Sequence, residues 1–295
     1  MQIFSFPFSG PHPKSVTALG CFDGTHKGHA ALFARTVALA DALDAVPAVF
    51  TFSDFLPAKG APLSTLEERL SAMEAAGIRT VFLSRFEEVR HLSPEEFIEN
   101  VLKDGIGAAG TVCGFNYRFG AGAKGNAETL RAAFAHAEQV EAVTFEGTPI
   151  SSTRIREAIT AGAVEKAGEM LGRPYTVSGT VLHGKALGQS LGFPTANIAP
   201  VTLLPKRGVY KTAVRVDGRE YVGLTDVGVR PTVEKTEEVR TETFLLDFEG
   251  DLYEKSLSVS FLYRLRDEMR FESGDALRAQ IKKDVESVKD GSYGK

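Results

Sequence analysis

The segment Gly20-Cys21-Phe22-Asp23-Gly24-Thr25-His26-Lys27-Gly28-His29 gathers residue types that handle phosphate. The apolar run Val16–Leu19 leads into it and an Ala/Leu-rich helical pattern, Ala30–Leu43, follows. The first-turn N–H groups of a helix lack backbone partners and its dipole is positive there, so a glycine turn opening a helix favours anions. His26 and His29, spaced i and i+3, fall on one face of that turn. Imidazoles so placed donate hydrogen bonds to a charged phosphoryl group. A glycine turn alone is often only structural; two histidines, Asp23 and the glycines at this spacing favour nucleotide chemistry. The segment is not a Walker loop, since no Gly-Lys-Ser/Thr follows, nor a dinucleotide fingerprint, since Gly20, Gly24 and Gly28 are too widely spaced.

Two further segments belong to the same half. Gly114-Phe115-Asn116-Tyr117-Arg118-Phe119-Gly120 follows the β-like run Thr111–Cys113. Asn116 offers an amide for base or flavin recognition, Tyr117 and Phe119 offer apolar faces, and Lys124 in the next loop is a candidate phosphate contact. Ile150-Ser151-Ser152-Thr153-Arg154-Ile155-Arg156 places three hydroxyls and two arginines at a helix start, a second anion site or ordinary N-capping.

The elements that must hold these residues alternate. Strand signals at Val16–Phe22, Ala48–Phe52, Thr80–Leu83, Thr111–Cys113 and Val140–Phe145 are interleaved with helical ones at His29–Leu43, Leu66–Ala76, Ala127–Ala137 and from Ser151. Ser93-Pro94-Glu95-Glu96 reads as a capped helix start. This α/β order predicts a Rossmann-like parallel sheet covered on both faces, with ligands at the carboxyl ends of its strands. From Tyr175 the signals become short glycine-broken β runs: Tyr175–Leu182, Gly208–Val216, Arg219–Leu224, Thr241–Leu246 and Ser256–Tyr263. They predict a small antiparallel barrel followed by a terminal helix with Ser273 as cap and Leu277, Ile281, Val285 and Val288 as its apolar stripe. Gly172-Arg173-Pro174 is a helix stop, so the expected domains are 1–172 and 173–295.

Composition narrows the class. The 295 residues suffice for two domains, and 43% hydrophobic with 24% charged residues is ordinary for a globular chain. A net charge of −4 implies no general polyanion surface, so nucleic acid is not an expected partner. Neither a signal peptide nor a membrane-spanning run is read. Cys21 and Cys113 each end an apolar run and read as small buried residues in a reduced, cytoplasmic setting. Self-association stays open.

The three front segments resemble the nucleotidylyltransferase superfamily, in particular the adenylyltransferase module of bacterial bifunctional riboflavin kinase/FAD synthetases. The matching residues are Gly20, Phe22, Asp23, Gly24, His26, Gly28 and His29, then Asn116, Phe119 and Gly120, then Ser151, Ser152, Thr153, Ile155 and Arg156. The segment Phe52-Ser53-Asp54-Phe55-Leu56-Pro57 stands where the family usually has Phe-Asp/Asn-Pro-His-Pro. The second half resembles the kinase module through Gly179-Thr180-Val181-Leu182-His183-Gly184-Lys185-Ala186-Leu187-Gly188, then Leu191-Gly192-Phe193-Pro194-Thr195-Ala196-Asn197, then Glu242. Gln189, Asp226 and Phe244 depart from that pattern, the family usually carrying Arg, Asn and His there.

The resemblance implies two ATP-dependent steps: riboflavin to FMN in the barrel, then FMN to FAD with release of pyrophosphate in the α/β domain. It makes Glu242 the base toward the ribityl hydroxyl, and His26 and His29 the holders of the ATP phosphates. Ser152, Thr153 and Arg156 would hold the pyrophosphate, and Gly20, Phe22, Asp23, Gly24, Gly28 and Asn116 would bind nucleotide or flavin. Gly179, Gly184, Lys185, Gly188 and Pro194 would approach substrate in the kinase half. Thr195 and Asn197 supply hard oxygen ligands suited to Mg²⁺ on the ATP phosphates. The flavins and ATP are thus the expected partners. Two other readings stay open: FAD synthesis alone beside a weak or flavin-binding regulatory kinase-like half, and adenylyl transfer to a different phosphorylated acceptor.

Overall fold

A computed structural model describes residues 1–54, 60–182, 195–231 and 237–289, and the chain divides into two compact units, Met1–Ser152 and Thr153–Lys295. The first unit is built on a six-stranded parallel sheet. Its strands are β1 (Gln2–Ser5), β2 (Ser15–Leu19), β3 (Val46–Phe52), β4 (Thr80–Ser84), β5 (Ala108–Gly114) and β6 (Ala137–Val140), in the order β1-β4-β3-β2-β5-β6. The helices are α1 (Lys27–Ala42), α2 (Leu66–Ala75), α3 (Phe86–Val89), α4 (Pro94–Glu96, continuing as a π-helical stretch, Phe97–Lys103) and α5 (Ala127–Ala133). A short hairpin, β7 (Thr144–Phe145) and β8 (Thr148–Pro149), follows β6.

The strand side chains alternate between two cores, as a sheet covered on both faces requires. Val16, Ala18, Val49, Val81 and Val112 pack on one face with Leu32, Phe33 and Leu39 of α1 and Met73 of α2. Leu19, Phe50, Phe82 and Cys113 pack on the other with Phe97, Ile98, Val101, Leu102 and Leu130. The chain order reverses between β2 and β5, which pair through Leu19 and Cys113. At such a reversal the loops leaving the two strands diverge and open a crevice at the carboxyl edge.

Expected and observed elements differ where the signal is polar or short. The strand expected at 140–145 lies instead at Ala137–Val140, where Glu138 and Gln139 conceal it. α5 stops at Ala133 because Phe134 is extended. The Ser93 capping box with Pro94 at the first position is formed as read.

The second unit begins with α6 (Ser152–Ala161), whose first residue ends the first unit, and α7 (Val164–Leu171), which closes on left-handed Gly172. Six antiparallel strands follow: β9 (Tyr175–Leu182), β10 (Thr195–Ile198), β11 (Gly208–Val216), β12 (Arg219–Pro231), β13 (Glu237–Leu245) and β14 (Ser256–Arg266). They close a barrel in the order β10-β13-β12-β11-β14-β9. Its interior carries a hydroxyl ladder, Thr212 to Thr225 at 2.9 Å and Thr225 to Thr243 at 3.0 Å. Gly223 is required beside it, since a Cβ there would come within 2.4 Å of Thr212 Oγ1. The terminal helix α8 (Gly274–Lys289) is capped by Ser273, whose Oγ accepts from Ala276 N at 3.2 Å. Its Ile281, Val285 and Val288 cover Val209, Leu224, Phe244 and Leu246 on the barrel exterior. Among the described residues no helix is long and apolar enough to cross a membrane.

Candidate functional sites in the two units

In the first unit the loop after β2 is shaped by residues with unusual backbone. Phe22 and Thr25 take φ of 53° and 40°, and Gly24 takes 80°. Left-handed backbone is costly for residues with a Cβ and persists only where the surroundings over-determine it. Here they do. The Asp23 carboxylate accepts from Leu63 N at 3.0 Å and Ser64 N at 3.2 Å, while Gly24 N donates to Ser64 Oγ at 2.9 Å. Ser152 Oγ, at the end of the first unit, donates to the Asp23 carbonyl at 2.9 Å. Cys21 O accepts from Thr51 Oγ1 at 3.2 Å and from Arg69 Nη1 at 2.9 Å.

The loop delivers the histidines to the start of α1. His26 is the N-cap residue, and its Nδ1 accepts from His29 N at 3.3 Å. That bond leaves Nε2 as the N–H donor of a neutral His26 ring. The rings stack with centroids 3.6 Å apart and 16° between planes. Phe22, buried, lies edge-on to His29 at 5.2 Å and against Phe33 at 4.9 Å. Two glycines permit this packing: a Cβ on Gly28 would stand 3.1 Å from the His26 ring, and one on Gly20 would stand 3.0 Å from the Phe22 ring.

The second segment leaves β5, the neighbour of β2. Asn116 is exposed in a turn closed by Tyr117 N donating to Gly114 O at 3.1 Å. Phe119 is buried, stacks on Tyr117 at 5.7 Å and packs tilted against Phe97 at 5.5 Å, so its ring belongs to the core rather than to an open face. Burial pushes the Cys113 thiol up to about 11, which fits a small buried residue and not a nucleophile. Lys124 is exposed. Ser53 and Asp54 are tied down, Ser53 N to Ser84 O at 2.9 Å and Phe86 N to the Asp54 carboxylate at 3.0 Å; positions 55–59 lie outside the described residues.

Thr153 is exposed and Arg156 half-buried in the first turns of α6. In the barrel, the strand registers align Asn197 of β10 with Glu242 of β13, and Glu242 with Asp226 of β12. Directly opposed residues share a face, so these three side chains stand in one row on the barrel exterior. Asn197 is 4% exposed and its Oδ1 has no hydrogen-bond partner. Asp226, which replaces the amide usual in the resemblance, has a buried Oδ1 likewise without a partner. Burial first, then the charges of Glu268 and Glu242, pushes its carboxyl up to about 6. Thr195 opens β10 two residues before Asn197 and is half-buried. Phe244 lies against the cluster beneath α8, the place an apolar residue suits. Gly179 lies in β9, where a Cβ would make an ordinary 3.4 Å contact with Ile198. Gly184, Lys185, Gly188, Gln189 and Pro194 lie outside the described residues.

Arg69 is the site neighbour that periodicity reading passed over. It lies on α2, 2% exposed, three residues after Leu66 and four before Met73. A charged residue inside an apolar helical stripe was the available signal.

Comparison with known proteins agrees along the chain. The FAD synthetase family model matches residues 9–154, and the riboflavin kinase family model matches 171–291. The "Bifunctional riboflavin kinase/FMN adenylyltransferase" of Pseudomonas fluorescens is 35% identical over 289 residues, covering 94% of this chain and 93% of its own. That of Bacillus subtilis is 33% identical over 290 residues, covering 93% of this chain and 92% of its own. A crystal structure described as "Macrolide-efflux Protein from Streptococcus pneumoniae" is 33% identical with a TM-score of 0.88, covering 98% of this chain and 99% of that one. Two family models in sequence, with relatives matched over nearly their whole length, leave one assignment: the chain belongs to the bifunctional riboflavin kinase/FMN adenylyltransferase family.

Proposed function

We propose that this chain phosphorylates riboflavin to FMN in its barrel unit and adenylylates FMN to FAD in its sheet unit, using ATP in both steps. The observation that carries the reading is the separation of two phosphate-directed constellations. The stacked histidines cap α1 in one unit, and the Asn197–Glu242 row lies in the other. We assign the reactions to 1–172 and 173–295, in a cytoplasmic setting, with the flavins and ATP as partners and no nucleic acid or membrane.

In the adenylyl step an oxygen of the FMN phosphate attacks the α-phosphorus of ATP in line, and the bond to the pyrophosphate breaks. No covalent enzyme intermediate and no general base is required, because the attacking phosphate is already anionic. Catalysis is positioning plus stabilisation of developing charge. The α1 N-terminus and the two imidazoles supply N–H donors to the phosphates, and Ser152, Thr153 and Arg156 are assigned to the pyrophosphate on the resemblance. Asn116 contributes to flavin or nucleotide recognition. Gly20, Gly24 and Gly28 give the loop its close approach, and Phe22 and Asp23 hold its shape.

In the kinase step the ribityl 5′-hydroxyl attacks the γ-phosphorus, Glu242 accepts its proton, and ADP departs. Mg²⁺ fits the donors present: Asn197 Oδ1 is buried without a partner, and Thr195 adds a hydroxyl two residues away. Among the described residues no group of three or more His, Cys, Asp and Glu could hold a metal. The Asn197 and Thr195 oxygens suit an ion that takes few protein ligands and shares substrate phosphates. When bound there, Mg²⁺ would neutralise phosphate charge. Gly179, Gly184, Lys185, Gly188 and Pro194 are assigned to substrate approach on the resemblance.

Single-site variants test the division. His29→Ala is expected to abolish FAD formation and leave FMN formation measurable. Glu242→Gln is expected to stop FMN formation and leave FMN-to-FAD conversion intact. Separation of products from purified, folded variants fed riboflavin and, separately, FMN decides it; loss of both conversions in either variant contradicts two independent sites.

A further inference from the structure

Arg69 is a cation almost wholly withdrawn from water, placed where a sheet-covering helix would ordinarily bury an apolar side chain. Such burial is costly unless the charge is engaged. Its Nη1 donates to Cys21 O at 2.9 Å; burial pulls the guanidinium below its ordinary range, and the Asp23 carboxylate opposes that shift by favouring the charged form. Cys21 O belongs to the peptide that precedes Phe22, so fixing that carbonyl fixes the peptide plane on which the φ of Phe22 depends. Phe22 holds φ at 53°, and its ring is the apolar wall against which His29 stands edge-on at 5.2 Å. His29 in turn stacks on His26, the cap of α1. A single contact chain therefore runs from Arg69 through the Cys21 carbonyl and Phe22 to both imidazoles.

We propose that Arg69 is a positioning residue for adenylyl transfer, holding the 20–29 loop in the left-handed form that aligns His26 and His29 on the ATP phosphates. The proposal rests on the assignment of adenylyl transfer to the sheet unit. Thr51 Oγ1 donates to the same carbonyl at 3.2 Å but carries no charge, so it supports the peptide without balancing Asp23.

The test uses the full-length protein with Arg69→Met and Arg69→Lys. Methionine fills the space without a donor; lysine keeps the charge and one donor. In Arg69→Met the FAD-forming kcat is expected to fall about 100-fold and the KM for ATP to rise about ten-fold, the scale of losing alignment at a phosphate site. The KM for FMN and the rate of FMN formation by the same protein are expected to stay within about three-fold of the parent. A merely smaller folded fraction would lower kcat and leave the KM for ATP unchanged. Arg69→Lys is expected to restore the KM for ATP to within about three-fold of the parent while kcat stays reduced. A folded Arg69→Met with parental kcat and KM for ATP overturns the proposal. So does a loss of kcat with an unchanged KM for ATP in both variants. If the parent itself forms no FAD from FMN, the assignment of the site fails; if the parent does and the variants match it, only the role of Arg69 fails.

Discussion

Asp226 shares its row on the barrel with an amide and a glutamate, and its own carboxyl is mostly withdrawn from water with one oxygen unpaired. Its value is pushed up to about 6 from an ordinary 3.8, so the folded state holds the proton more tightly than the unfolded chain. The stabilising effect of that proton is complete below the unfolded value and is lost as pH rises through 6. Asp226→Asn, which cannot ionise, is therefore expected to be more stable than the parent at pH 7.5, by about 1–2 kcal/mol after allowance for partial exposure. The gain should shrink as the pH is lowered toward 4. Urea unfolding without added metal across that range checks it, and an advantage that is absent or independent of pH contradicts it. The residues that carry chemistry were readable because their spacing is local: His26 and His29 face together at i and i+3, and Thr195 and Asn197 at i and i+2. The holders were not. Leu63 and Ser64 reach Asp23 from forty residues away, through backbone N–H groups that every sequence possesses.

At the scale of elements, the buried strands of the sheet, β2 to β5, and five of the six barrel strands were legible from apolar runs. Two others were not. β1, Gln2–Ser5, is an edge strand of mixed burial ahead of three prolines, and only its parallel pairing with β4 defines it. β10 has four residues, and its register with β13 is what brings Asn197 beside Glu242. The terminal helix was read by its apolar stripe, but its clasp was not. Asp284, 6% exposed, accepts from Arg266 Nε at 3.0 Å and Nη2 at 2.7 Å and from Gln280 Nε2 at 2.8 Å. Removing one partner of a buried pair leaves an uncompensated charge. Asp284→Ala is therefore expected to destabilise the barrel unit by about 3 kcal/mol. The heat inactivation of FMN formation should move to lower temperature, while FMN-to-FAD conversion keeps the parental profile. Parallel shifts of both activities, or neither, contradict the clasp.

At the scale of the whole molecule, the chain is two compact units that each match one family model. The linking helices show why the change is gradual in sequence. α7 packs against β9 and β14 within the second unit, although its helical pattern continues the alternation of the first half. Substitutions at Asp226 and Phe244 have structural places of their own, one in the polar row and one beneath α8, and the Asn197–Glu242 register is intact beside them. That arrangement favours an active kinase half over a flavin-binding remnant. The most direct measurement incubates the purified full-length protein with riboflavin, ATP and Mg²⁺ and separates the flavins over time. FMN is expected to appear first, with ADP, and FAD to follow with pyrophosphate. FAD formed only when FMN is supplied, or neither flavin formed from riboflavin, would contradict it.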